Sequence, residues 1–318
     1  MILLNDRDVE RILSMRECIE VVEEAFKSLG LGNAIMPLRT MIPIEEFNGV
    51  ILIMPSYIKG LNALATKIVT FYPDNVKFKL PVINAHVIVN NPKTGIVEAV
   101  IEANYLTAMR TGAVSGVATK YLARENAKTL AIIGCGVQAR TQLWAVITVR
   151  NIKEVKAYDI DERRKEEFVR EMKERFQLEI TSTENAKEAV EEADIIVTAT
   201  TSSTPVINYE WIKPGTHINA IGAFRPDMRE IDSKTILNAK VVVDLREAAL
   251  KEAGDIIIPI QEGLISREHI YAELSELILN RKPGRKSESE ITLFKSVGLA
   301  IQDSSVATYI LNKIRKQL

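Results

Sequence analysis

Leu130-Ala-Ile-Ile-Gly134-Cys-Gly136-Val-Gln-Ala139 is a short apolar run that meets a G-x-G-x-x-A turn and continues in a helical pattern. In such a turn the first glycine permits a tight reversal, and the second lets the backbone approach a pyrophosphate. The small third residue lets helix and strand pack closely. The backbone at Val137 and Gln138 then opens a helix whose positive N-terminal end faces the phosphate charge. A second β-rich run, Glu154–Tyr158, follows and ends in Asp159, 20 residues beyond Ala139. That is where a carboxylate grips the ribose hydroxyls of a dinucleotide. Gly134, Gly136, Val137, Gln138, Ala139 and Asp159 are therefore the expected cofactor contacts. Asp159 favours NAD, because a carboxylate repels the 2′-phosphate of NADP, although Arg163 and Arg164 stand close enough to leave NADP open.

The rhythm around this motif extends the reading. Short β-branched runs recur at Leu130–Ile133, Val155–Tyr158, Ile195–Thr198, Ile218–Ile221 and Val241–Asp244, and helical patterns separate several of them. This alternation predicts a doubly wound parallel sheet with helices on its faces, a Rossmann α/β domain. Thr200 and Gly222 follow two of these runs, at carboxyl ends of strands, where a cofactor lies. The charged stretch DERRKEEFVREMKER places Phe168, Met172 and Phe176 at helical spacing and reads as a solvated amphipathic helix. Arg281–Glu290 is polar, contains Pro-Gly and reads as an exposed loop. Ile291–Leu318 reads as helix.

The N-terminal third is built differently. Ser14 and Glu17 fit a capping box for a helix running to Leu29. The runs Met36–Pro43, Val50–Tyr57, Ala63–Phe71, Val82–Asn90 and Ile96–Ile101 alternate with hairpin cues such as Asn48-Gly49 and Pro92–Gly95. They predict a mainly antiparallel sheet in a second, α+β domain. Glu102–Arg124, rich in small residues, reads as one long helix. The 318 residues divide into a substrate-binding domain over 1–120, completed by 300–318, and a nucleotide-binding domain over 121–299.

Composition excludes much chemistry. Lys and Arg number 41 against 42 Asp and Glu, a net charge of −1, which lacks the basic face that nucleic-acid phosphates need. Two cysteines and three scattered histidines make neither a disulfide framework nor a zinc site, and no metal is expected. GxSxG, GxxxxGK[ST] and HExxH are absent. No apolar run reaches the roughly 18 residues of a membrane span, and the charged N-terminus does not read as a signal peptide. A cytoplasmic protein is the expectation.

A nicotinamide cofactor needs a second site that presents a substrate carbon. Arg39, Lys67 and Arg110 stand out because apolar strand or small-residue helix surrounds them. Guanidiniums clamp carboxylates, and a lysine kept from water exchanges protons near neutrality. Any one of the three alone is better read as pairing or snorkelling.

These residues carry a resemblance. ALATK at Ala63–Lys67, NPKTG at Asn91–Gly95, LTAMRTGAVSGVATKYLA from Leu106, GCGVQAR from Gly134 and LFKSVGLAIQD from Leu293 resemble the ornithine cyclodeaminase/mu-crystallin family. The resemblance implies a Rossmann domain and a substrate domain assembled from both chain ends, which dimerises through its sheet. It implies that Arg39, Lys67 and Arg110 hold a substrate carboxylate, that Lys67 assists proton transfer, and that Thr111 and Gly298 join the cofactor contacts. One departure matters. Phe224 stands where the cyclodeaminases and the archaeal alanine dehydrogenase carry a catalytic aspartate, whereas Asp227 resembles the ketimine-reductase and mu-crystallin pattern. Asp227 either supplies a proton or begins the next loop. The expected activity is NAD(P)-dependent reduction of a small cyclic imino acid such as 1-pyrroline-2-carboxylate. Ornithine cyclodeamination with tightly bound NAD and archaeal-type alanine dehydrogenation are the alternatives.

Overall fold

The computed structural model describes residues 1–316 and divides them into two compact units. The first is Met1–Arg110 with the C-terminal segment from Leu299, and the second is Thr111–Gly298.

The first unit begins with β1 (Ile2–Leu4), α1 (Asp6–Ile12) and α2 (Met15–Gly30). Ser14 caps α2 as its composition predicts: Ser14 Oγ accepts from Glu17 N, and the Glu17 carboxylate accepts from Ser14 N at 3.0 Å. The strands β2 (Ala34–Ile35), β3 (Thr40–Ile44), β4 (Gly49–Ile58), β5 (Ala63–Phe71), β6 (Ile83–Asn90) and β7 (Val97–Glu102) follow. They form a sheet in the order β1-β7-β6-β5-β4-β2, with β3 also on β4. Every pairing is antiparallel except β1 with β7. Pairing begins only at Thr40, not at Met36, because Pro37 lacks the N–H a ladder requires. Strict alternation along β5 turns Ala63, Ala65, Lys67 and Val69 to the buried face. The helix α3 (Asn104–Leu122) comes next, and the boundary between units falls inside it, at Arg110/Thr111.

The second unit contains β8 (Thr129–Ile133), α4 (Val137–Val149), β9 (Glu154–Tyr158), α5 (Glu162–Phe176), β10 (Glu179–Ser182), α6 (Ala186–Val190) and β11 (Ile195–Thr198). It continues through β12 (His217–Ala220), α7 (Ser233–Asn238), β13 (Lys240–Val243), α8 (Arg246–Glu252), α9 (Gly254–Gln261), β14 (Ile270–Glu273), α10 (Leu274–Ile278) and β15 (Thr292–Lys295). All its strands pair in parallel, in the order β10-β9-β8-β11-β12-β15-β13-β14. Leu130, Ile132, Val155, Ala157, Ile195 and Val197 form its core with Phe168 and Met172, the buried stripe of the charged helix α5.

Two expectations change here. Thr292–Lys295 is not helical: it is a fully buried strand between β12 and β13, and helix begins only at Ala300. Four residues, Thr-Leu-Phe-Lys, carry too little periodicity to separate strand from helix. Arg281–Glu290 is a loop, but Arg285 is half-buried and donates to Leu122 O and Thr292 Oγ1.

The last helix, α11 (Ala300–Arg315), belongs to the first unit and packs on β4, β5 and α2. Tyr309 and Lys313 both reach Glu17 of α2.

Candidate active site

The dinucleotide loop is assembled from β8 and α4. Gly134 adopts φ +91°, and a Cβ there would lie 2.8 Å from Ala199 O and from the Thr200 side chain. Conformation and space both demand glycine. Gly136 is different: it caps α4 at φ −76° with no side-chain hydrogen bond to the helix end, and a Cβ on it would meet nothing within 4 Å. The space beside Gly136 and the first-turn amides of α4 fit a pyrophosphate. Gln138 adds a buried Oε1 without a hydrogen-bond partner among the described residues.

Asp159 closes the loop from the end of β9. Its Oδ2 accepts from Cys135 N at 2.7 Å and its Oδ1 from Asp161 N at 2.9 Å. Arg140 steadies the other side by donating to Cys135 O and Gly136 O, each at 3.0 Å. Burial beside Asp159 pushes the Cys135 thiol up to about 12, so it stays protonated. Arg163 and Arg164 are bound within their own helix turn, to Glu167 at 3.0 Å and Asp161 at 3.2 Å.

Of the remaining expected cofactor contacts, Thr200 and Gly222 follow β11 and β12 and are tied to the Glu230 carboxylate. Gly298 adopts φ +81° and donates to Asp244 Oδ2 at 3.0 Å. Thr111, buried in α3, accepts from Gln142 Nε2 of α4 at 3.0 Å.

In the first unit, Lys67 and Arg110 converge on a residue that the sequence reading did not single out. Lys67 Nζ lies 2.8 Å from Asp303 Oδ2, and Arg110 Nε lies 3.0 Å from Asp303 Oδ1. Arg110 also donates to Gln302 Oε1 at 2.7 Å, and Leu299 N donates to the same oxygen at 3.1 Å. The Lys67 and Asp303 side chains are each 1% exposed. Burial drives the Lys67 ammonium down to about 7; Arg110 and Arg39 push the same way, and Asp303 opposes them. Two cations on one carboxylate, with Arg39 near enough to act on Lys67, leave a positive excess that suits an anion. The signal for Asp303 was the acid that ends LFKSVGLAIQD, a lone carboxylate within the wholly buried stretch Ala300–Thr308.

Asp227 is elsewhere in character. It lies in the loop after β12, its side chain 66% exposed, and accepts from Arg225 Nε at 3.0 Å and NH2 at 2.6 Å. The Arg225 hydrogen bond holds its carboxyl below the usual range. An exposed, ionised carboxylate is a poor proton donor, so this geometry favours the second of the two readings of Asp227, the start of a loop. Among the described residues no three His, Cys, Asp or Glu side chains cluster as metal ligands, and no helix is long and apolar enough to cross a membrane.

Comparison with known proteins places this geometry in context. The model of the ornithine cyclodeaminase/mu-crystallin family matches residues 1–317. A Delta(1)-pyrroline-2-carboxylate reductase of Bacillus cereus is 45% identical over 314 residues, covering 98% of this chain and 96% of the relative. The solved Thermococcus litoralis Delta(1)-pyrroline-2-carboxylate reductase, in complex with NADH and L-proline, superposes with a TM-score of 0.98 at 50% identity, covering 100% of this chain and 98% of that one. An archaeal alanine dehydrogenase dimer with bound NAD has a TM-score of 0.94 at 40% identity, covering 100% and 97%.

Proposed function

The chain belongs to the ornithine cyclodeaminase/mu-crystallin family, and from that membership we propose that it reduces 1-pyrroline-2-carboxylate to proline, with NADH as cofactor. The observation that carries the reading is the buried Lys67–Asp303–Arg110 cluster, together with relatives of this name at high identity over almost the full chain.

Gly134, Gly136, the first turn of α4 and Asp159 would hold the dinucleotide. Asp159, with Arg163 and Arg164 already paired to neighbouring acids, favours NAD over NADP. Bound NADH supplies the hydride that the imine carbon accepts. Arg110, oriented by Asp303 and Gln302, binds the substrate carboxylate with Arg39. Lys67, poised near 7, gives its proton to the ring nitrogen, which makes the adjoining carbon more electrophilic. The Asp303 carboxylate steadies the Lys67 ammonium until that transfer. General acid help of this kind contributes on the order of 10²–10⁴ in rate.

A pair of buried cysteines with free thiols, Cys18 and Cys135, suits a reducing compartment, and the reading places the enzyme in the cytoplasm. Ile35, Met41, Ile42, Phe47, Val76 and Phe78 are exposed apolar side chains of the first unit, and covering them supports a pairing of two copies, as in the archaeal alanine dehydrogenase dimer. Proline forming in step with NADH loss is the test; proline formation that survives Lys67→Met unchanged contradicts the mechanism.

A further inference from the structure

Glu230, Asp255 and Lys295 are each wholly buried in the second unit, and the reaction described above uses none of them. Burying three charges is costly unless each is paired and hydrogen-bonded. Here each is. Lys295 Nζ of β15 lies 2.9 Å from Asp255 Oδ2 in the first turn of α9. Asp255 Oδ1 accepts from Glu230 N at 2.7 Å and Ile231 N at 2.9 Å. Glu230 then spreads its two oxygens over two separate loops. Oε1 accepts from Thr200 N at 2.6 Å and Thr200 Oγ1 at 2.9 Å, and Oε2 accepts from Gly222 N at 2.7 Å and Ala223 N at 3.2 Å.

The clamp leaves no slack. A Cβ on Gly222 would lie 2.0 Å from Thr200 O and 2.5 Å from Glu230 Oε1, so the loops after β11 and β12 touch backbone to backbone around one carboxylate. Strand order says which end of a dinucleotide these loops serve. The Asp159 strand β9 lies on one side of β8, and β11 and β12 lie on the other. A dinucleotide laid across the switch point with its adenine ribose at Asp159 puts its nicotinamide half over β11 and β12.

We propose that Glu230, fixed by Asp255 and Lys295, is a positioning residue for the nicotinamide half of the cofactor, holding the Thr200 and Gly222 loops in one conformation. Apolar residues of similar volume stabilise a core as well as a buried ion pair does, so a stability role alone does not call for this carboxylate. A single acceptor set that fixes four backbone and hydroxyl donors does call for it. The inference rests on the nicotinamide-cofactor reading.

The test is equilibrium binding to the full chain of NADH and of ADP, which carries only the adenine half. In Glu230→Gln the amide must turn a donor toward one loop, and NADH affinity falls about tenfold or more while ADP affinity stays within about twofold. Thr200→Val, which removes one donor and keeps the shape, shows the same asymmetric loss on a smaller scale, and decides the matter if Glu230→Gln does not fold. Equal loss of NADH and ADP, or loss of neither, overturns the proposal. A wild-type chain that binds ADP but not NADH overturns the cofactor reading instead.

Discussion

The ammonium of Lys67 and the carboxylate of Asp303 stand 2.8 Å apart, each side chain 1% exposed, on a strand from the N-terminal third and a helix from the C-terminus. Arg110 shares the same carboxylate. Burial, with the Arg110 charge beside it, depresses the Lys67 pKa, and two cations on one anion are the basis for proposing a carboxylate substrate here.

Lys67→Met removes the proposed proton donor while keeping the apolar stem. Turnover with 1-pyrroline-2-carboxylate falls by about 10²–10⁴, and the dissociation constant for NADH, measured by direct binding, does not move.

The pH dependence has a definite sign. With the Lys67 ammonium as the proposed proton donor, kcat is predicted to fall as pH rises through about 7. Stability moves the other way: the folded value lies below that of an unfolded lysine, so between about 7 and the ordinary lysine value the unfolded chain binds more protons, and this group's contribution grows with pH. A pH profile of kcat beside thermal melts over the same range checks both.

Asp303→Asn keeps the shape and removes the charge that supports the Lys67 ammonium. The alkaline limb of the kcat profile shifts below 7, and kcat/KM at neutral pH falls by about 10². Asp303→Ala strips two buried cations of their partner and costs about 3–5 kcal/mol in denaturant unfolding.

Asp227→Asn changes kcat/KM by less than about twofold, since an exposed ion pair of this kind is worth only about 0–1 kcal/mol. A hundredfold loss would return the proton-donor role to Asp227.

Gly136→Ala separates ligand contact from folding. The φ of −76° suits alanine and the added Cβ has open space, so Tm barely changes, while NADH binding weakens about tenfold or more because the methyl occupies pyrophosphate space. Gly134→Ala, at φ +91° and against Ala199 O, lowers Tm as well, by a strain of about 1–3 kcal/mol.

The dinucleotide half was legible because its signals are local: a buried strand, a glycine turn, a helix start and Asp159 follow one another within about one supersecondary unit. The bounds of β5 were readable for the same reason, through alternation over Ala63–Phe71. Thr292–Lys295 was not readable as strand, since its identity comes from neighbours β12 and β13 that are distant in sequence. Asp303 escaped in the same way. Its meaning lies in contacts with Lys67 and Arg110, which only the folded first unit brings about. Asp227 stayed open between two readings because a motif position carries no information on exposure or on its pairing with the neighbouring Arg225.

The most direct measurement of the central claim follows nicotinamide absorbance in two parallel mixtures of protein and NADH, one with 1-pyrroline-2-carboxylate and one with pyruvate plus ammonia, with proline quantified at the end. The account predicts NADH loss with the cyclic imine alone, matched mole for mole by proline. NADH loss only with pyruvate and ammonia, or no loss in either mixture, would contradict it.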